Sequence, residues 1–356
     1  MHRRPSAETL EPARVNSAGG PGTARLRALA GSALAAAVLL GAGGLQEARG
    51  APADTLSAAL AELPSVEAAL EAGERIDAER LLETQAALAH DSMEGRYPGT
   101  DGSEMARDLI EDRLRELDLA PAFGESFRQP FQAEPQDGDL IDAENVVGVI
   151  EGAQYPDRYM VLTAHFDHLG VRDGEIYNGA DDNASGTAAI LELAAYFQEE
   201  PPTHTLVFAA VDAEEMGLQG ARAFVEDSPM ELEDILLNVN LDMVSRNEDN
   251  ELYAAGTYHY PFLAPFLHEV GQFADVDLIL GYDSPDDPQD WTMASDHGAF
   301  HEADIPFIYF GVEDHPGYHD PSDVFEDITP EFYVNAVETV LDFVLLMDRV
   351  LPQYVR

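Results

Sequence analysis

The 356-residue chain has no cysteine, no lysine and a single tryptophan. Without cysteine there is no disulfide framework, no thiolate metal site and no cysteine nucleophile, so any zinc must be held by His, Asp and Glu. Positive charge is scarce. All 19 basic residues are arginine, against 68 acidic ones, for a formal net charge of −49. Such a surface repels phosphate backbones and argues against nucleic-acid binding. Long apolar runs are nearly absent too. What is present is a hydrophobic fraction of 45 %, ample for a packed core and too large for a disordered acidic tail. The excess carboxylate reads either as a solubilising face or as adaptation to salt, which screens the self-repulsion. The all-arginine set fits salt adaptation or a GC-rich genome.

The one long apolar run, Ala28 to Leu45, follows Arg25 and Arg27 and precedes the small residues Ala48-Arg49-Gly50-Ala51. That order resembles a secretory signal cleaved after about Gly50. Residues 1–50 are therefore expected to direct export to the periplasm or beyond, with no stable membrane association after cleavage. The alternative is an uncleaved anchor, for which the run is marginal in length.

From 51 to 90 the spacing is helical, as at Leu56, Leu60 and Leu63 and again over Ile76 to Leu88; Met105 to Leu117 continues it. The glycines and prolines of 90–102 mark a loop, and Pro121 to Asp142 reads as a polar connection. Beyond it, short β-rich runs alternate with helical ones. Strands are expected at Val146–Ile150, Tyr159–Thr163, Thr205–Val211, Ile235–Leu241, Val276–Leu280 and Ile305–Phe310. Helices are expected at Ser185–Phe197, Leu218–Val225, Phe262–Phe273 and Phe332–Leu351. The alternation predicts a single three-layer α/β/α domain over 91–356, with a mostly parallel central sheet, preceded by the helical segment 51–90.

In such sheets the chemistry lies beyond the carboxyl ends of the strands. The strand ending at Thr163 runs into His165-Phe166-Asp167-His168, and a helix opens after Asp181-Asp182-Asn183. The strand ending at Val211 runs into Glu214-Glu215, and that ending at Leu241 into Asp242. The last leads to His315 and to Tyr318-His319. Gathering so many ionisable groups at one sheet edge is costly unless cations offset them. His165, Asp182, Glu215, Asp242 and His319 supply two imidazoles and three carboxylates. They suit two Zn²⁺ ions, with Asp182 central enough in order to bridge them, and Co²⁺ or Mn²⁺ as acceptable substitutes. Two zinc ions sharing a carboxylate fit hydrolysis.

The combination of His-x-Asp, Gly-x-x-Asp-Asn-x-Ser-Gly, Glu-Glu-x-Gly, Asn-x-Asp-Met and Tyr-His, in this order, resembles metallopeptidase family 28, the dizinc aminopeptidase-like peptidases. The likeness runs from about Ile76 to the C-terminus and includes Gly95-Arg96-Tyr97-Pro98-Gly99 as a lead-in loop. It implies a secreted exopeptidase acting on peptides with a free N-terminus. It also implies that His165 and Asp242 hold one zinc, Glu215 and His319 the other, and that Asp182 bridges them. Glu214 would be the general base and Tyr318 an oxyanion donor, with Asp167 orienting His165. In that family the peptide bond at the position of Asp182-Asn183 is cis.

Other residues carry two readings each. Asp181 is a solvated or a supporting acid. His168 and His297 line the pocket or serve the structure. Asp296 and Asp323 support ligands or cap turns, while His301 and His315 lie at the surface or behind the site. The acidic loop Asp283 to Asp290 is a calcium site or one more solvated acidic stretch. The rival functions are a carboxypeptidase or dipeptidase on the same scaffold, for which Arg246 is the nearest cation, and a non-catalytic binding ectodomain. A glutaminyl cyclase shares the fold, but the intact Glu-Glu pair points to hydrolysis. Oligomeric state is not encoded in any pattern found.

Overall fold

The computed structural model describes residues 13–15 and 75–351. The apolar run at 28–45, the candidate cleavage site and the helical spacing at Leu56, Leu60 and Leu63 lie outside the described residues. Ala13–Val15, within the segment expected to be a signal, forms the short edge strand β1.

Two helices come first. In α1 (Ala78–Leu88), Asp77 caps the start by accepting from Arg80 N; in α2 (Asp101–Glu116), Thr100 accepts from Ser103 N. Strands β2 (Ala120–Pro121), β3 (Arg128–Ala133), β4 (Ile141–Ile150) and β5 (Tyr155–His165) follow, then a hairpin of β6 (Gly170–Arg172) and β7 (Glu175–Tyr177). Strands and helices then alternate: α3 (Gly186–Glu199), β8 (His204–Val211), α4 (Gln219–Glu226), β9 (Ile235–Leu241), β10 (Glu251–Ala255), α5 (Ala264–Val270), β11 (Asp277–Leu280), α6 (His297–Glu302), β12 (Phe307–Gly311) and α7 (Pro330–Val350).

The sheet order is β1-β11-β10-β12-β9-β5-β8-β4-β2, with β3 also on β4. The four central strands, β12, β9, β5 and β8, run parallel. The flanking pairs β10–β12 and β4–β8 are antiparallel. Every residue of β8 and β9 is buried, as expected for strands covered on both faces.

Alternate residues feed two cores. Met160, Leu162, Leu206 and Phe208 pack with α1, α3 and α7 through Leu81, Ile190, Leu193, Val337 and Leu341. Val161, Val207, Ala209, Val211 and Ile235 face the other way, onto Phe224 of α4 and Phe300 of α6. These are the three expected layers, each buried large apolar side chain contributing roughly 1.5–3 kcal/mol. Polar ties then fix α1 to α3: Arg80 grips the buried Glu192 with Nε and Nη2, at 2.6 and 2.7 Å. No helix of the described residues is long and apolar enough to cross a membrane.

Besides the β6–β7 hairpin, which the sequence reading takes as a loop, two regions depart from that reading. The connection 121–142 is not merely polar chain; β2 and β3 pair with β4 there, their alternation masked by proline and glutamine. Strand β10, unassigned in the sequence, inserts between β11 and β12. Its two alanines and a glutamate, with no β-branched residue, are a mixed signal beside the acidic stretch that precedes them.

The start of α3 meets the end of β9 so closely that a Cβ on Gly186 would lie 2.3 Å from Leu241 O and 2.5 Å from Asn183 Oδ1. Gly186→Ala is expected to lower unfolding free energy by about 1–3 kcal/mol. Chemical denaturation checks this; an unchanged midpoint would contradict the close approach.

Candidate metal centre

The chain passes from β5 to β8 on one side, then returns to β9 on the other side of β5. Such a reversal opens a crevice at the carboxyl ends of the strands. His165 is the last residue of β5, Glu214 and Glu215 follow β8, and Asp242 follows β9. Asp182 comes from the 180–185 turn before α3, and His319 from the loop after β12. The structure thus brings all five expected ligand positions to one place.

Their contacts divide about Asp182. Its Oδ1 is 3.3 Å from His165 Nε2, which is also 3.3 Å from Asp242 Oδ1. Its Oδ2 is 3.2 Å from His319 Nε2, which is also 3.2 Å from Glu215 Oε2. One carboxylate therefore faces two groups, each with a histidine and a further acid. The peptide bond between Asp182 and Asn183 is cis. Glu214 and Tyr318 line the same cleft of about 80 Å³, with Met243, Trp291, Tyr309 and Val312. The Tyr318 ring stacks on His319 with centroids 4.0 Å apart.

The supporting contacts are specific. His165 Nδ1 is 3.1 Å from the backbone carbonyl of Asp167 and 3.7 Å from its carboxylate. That carboxylate instead accepts the backbone N–H groups of Glu214 and Glu215, at 3.0 and 3.4 Å. Asp167 thus fixes the acid pair as well as lying behind His165. Asp181 is fully buried rather than solvated: it accepts from Ser245 N and Oγ and lies 3.1 Å from His315 Nε2. Asp323 accepts the N–H groups of Asp181 and Asp182 and so holds the turn that presents Asp182. His297 is buried with Nε2 2.8 Å from Trp291 O, and the half-buried His301 has Nδ1 2.9 Å from Tyr260 Oη, so both serve the structure. Asp283, the start of the acidic loop considered for calcium, is buried and accepts from Gly256 N and Tyr258 N, a structural use of its carboxylate.

Arg96 had no assigned role beyond its loop. It is fully buried and donates to four carbonyls, those of Phe166, Leu88, Asn178 and Gly179. It staples the exit of β5 to the turn before Asp182. Nothing in a single sequence marks an arginine as buried; the flanking glycines were the only clue. Gly95 packs at φ +65°, where a Cβ would lie 2.2 Å from Tyr177 O.

The charges respond to this crowding. Burial pushes Glu214 well above the usual carboxylate range; His165 opposes the shift, and Asp296, Asp242 and Glu215 add to it. Burial works against protonation of His165, yet Asp242 and Glu214 outweigh it and raise its pKa. Burial likewise opposes His319, but Asp182 and Glu215 push it up to about 10. For Asp182 burial raises the pKa, and His168, His165 and His319 together bring it well below the ordinary value. Imidazoles and carboxylates here stand in the electrostatic relation that a cation between them would also satisfy. The donor set fits zinc in its chemistry, nitrogen and oxygen only, with His165, Asp182 and Asp242 atoms all within 4.8 Å of one another. Glu215 Oε1 is buried, with His168 Nδ1 2.8 Å away.

The profile of peptidase family M28 matches residues 145–344. Aminopeptidase YwaD of Bacillus subtilis is 34 % identical over 214 residues, which cover 56 % of this chain and 43 % of that protein. A glutamate carboxypeptidase 2 homolog of Caenorhabditis briggsae is 38 % identical over 110 residues, 29 % of this chain and 13 % of that one. The chain thus spans less than half the length of these curated relatives. Among solved structures, a zinc aminopeptidase from Bacillus subtilis has a TM-score of 0.58 at 20 % identity, covering 76 % of this chain and 95 % of that one. A glutaminyl cyclase of Porphyromonas gingivalis has a TM-score of 0.63 at 18 % identity, covering 76 % and 99 %. At such identities these two likenesses show the fold. The matched profile spans more than half of the chain, and with it the protein belongs to peptidase family M28.

Proposed function

We propose that the protein is a zinc-dependent exopeptidase that removes N-terminal residues from peptides. The observation that carries this is the division of the two Asp182 oxygens between the His165–Asp242 and Glu215–His319 groups, with Glu214 in the same cleft. His165, Asp242 and Asp182 would hold one zinc ion, and Glu215, His319 and Asp182 the other. Zinc bound there would polarise the scissile carbonyl and acidify water.

The chain's own groups do the rest. Glu214, held by Asp167 at its backbone N–H, accepts a proton from the attacking water and returns it to the leaving amine nitrogen. Tyr318 Oη donates to the oxygen that gains negative charge. The acids Asp182, Glu214, Glu215, Asp242 and Asp314 are among the residues lining the cleft, and among the described residues no arginine lines it. With Asp182, Glu215 and Asp242 taken up by zinc, Glu214 and Asp314 remain as acids that a substrate ammonium could meet. Arg246, the cation a carboxypeptidase would use, is not among the lining residues. It lies 3.8 Å from Asp327, with Nη1 beneath Gly317. Export rests on the apolar run at 28–45 and the small residues after it.

Aminoacyl-arylamides are expected to be cleaved, N-acetylated analogues are not, and a chelator abolishes the activity until zinc is restored. Preferential cleavage of N-blocked, free-carboxylate dipeptides would instead support the carboxypeptidase. Glu214→Gln is expected to keep its zinc content while turnover falls by about 10²–10⁴-fold. Full turnover in that variant would remove Glu214 from the reaction.

A further inference from the structure

The steps above leave one side chain in the wall of the centre without a task. His168 follows Asp167, is fully buried, and neither ring nitrogen has a hydrogen-bond partner. Its Nδ1 lies 2.8 Å from Glu215 Oε1 and 3.7 Å from Asp182 Oδ2. Glu215 Oε1 is equally buried and equally unpartnered. The two atoms are in direct contact, and His168 helps to offset the burial that opposes ionisation of Glu215. They border the region around Asp182 Oδ2 and Glu215 Oε2 to which His319 Nε2 also comes, 3.2 Å from each. Atoms of His168, Asp182 and Glu215 lie within 4.8 Å of one another. Beyond this mutual contact neither atom has another partner, and a cation bound by both would satisfy them together with Asp182 Oδ2.

We propose that His168 Nδ1 is an additional protein donor to the metal ion on the Glu215 side of Asp182. The inference rests on the zinc reading of the preceding subsection. It gives that position two imidazoles, His168 and His319, and two carboxylates. The position on the other side has one imidazole, His165, and two carboxylates. The seat of the ring is built for it. Gly179 sits at φ +56°, and a Cβ there would fall 2.6 Å from His168 Cγ and Cδ2. Arg96 holds the carbonyls of Asn178 and Gly179, so this wall does not give way easily. The two metal positions are therefore unequal. The side richer in nitrogen selects zinc over manganese or magnesium more strongly and is the last to empty.

The test compares wild-type protein with His168→Ala and His168→Asn. Zinc affinity is measured by competition with a chromophoric chelator, and folding by thermal melting. Wild type is expected to take up two zinc ions in two distinguishable steps. Both variants are expected to weaken the tighter step by more than the roughly 10–100-fold that loss of an outer partner costs. The weaker step should hold. Asparagine keeps an N–H near the place of Nδ1 but has no imidazole nitrogen, so recovery of wild-type affinity in His168→Asn would make His168 a hydrogen-bond donor to Glu215 and overturn the proposal. Unchanged affinity in both variants overturns it too. A measurement on the wild type is independent of variant folding: in ¹⁵N-histidine-labelled protein, His168 Nδ1 should move to its metal-bound position on zinc loading. A resonance that stays put contradicts the assignment. A wild type that takes up no zinc overturns the zinc reading itself, whereas two bound ions with indifferent variants overturn only the role of His168.

Discussion

Everything at the carboxyl edge of this sheet is arranged around a crowd of buried charge. Asp182, Glu215 and Asp242 stand within reach of His165 and His319, with Glu214 beside them. Carboxylates gathered in a poorly solvated place repel one another, and the fold tolerates them only with positive charge between them. Imidazolium can supply part of that charge, which is why the pKa values of His165 and His319 rise. Divalent cations supply it more fully, and they turn the cost into chemistry.

Holding such a cluster open demands a rigid surround. Four neighbouring parallel strands end together, which sets the positions of His165, Glu215, Asp242 and the loop to His319. The turn bearing Asp182 has no strand to fix it, and there the polar supports concentrate. Asp323 takes its N–H groups, Asp181 ties it to Ser245, and Arg96 holds the chain just before it. Beneath Asp242 a buried chain runs from Asn238 through Thr163 and Asn240 to Ser295. At the far end of the sheet, the buried His204–Asp348 pair shows the same residue types in a purely structural use. Ionisable side chains therefore mark the site by where they converge, not by being buried.

The sequence carried the central architecture because its strands are long, apolar and followed directly by acids or histidines. Ile235–Leu241 is found with the expected bounds, and β8 extends by one residue. The same logic failed where signal was mixed: β10 carries two alanines and a glutamate with no β-branched residue, and the proline and glutamine of β3 conceal its alternation. Within the site, position pointed to the candidate ligand residues, since His165, Glu215 and Asp242 sit at or just past a strand, Asp182 precedes a helix and His319 lies in the loop after β12. It could not show that Asp181 is buried, that the Asp167 carboxylate reaches Glu214 and Glu215, or that Arg96 spans four carbonyls. Those facts depend on chain segments up to 142 residues apart and have no local pattern. His168 belongs with them, for only the fold turns it toward Glu215.

The central claim is that Asp182 lies between two metal ions. Anomalous diffraction at the zinc edge from zinc-loaded crystals tests it most directly. The account predicts two peaks about 3.5–4 Å apart, one on the His165–Asp242 side of the Asp182 carboxylate and one on the Glu215–His319 side. A single peak, or peaks remote from Asp182, would contradict it.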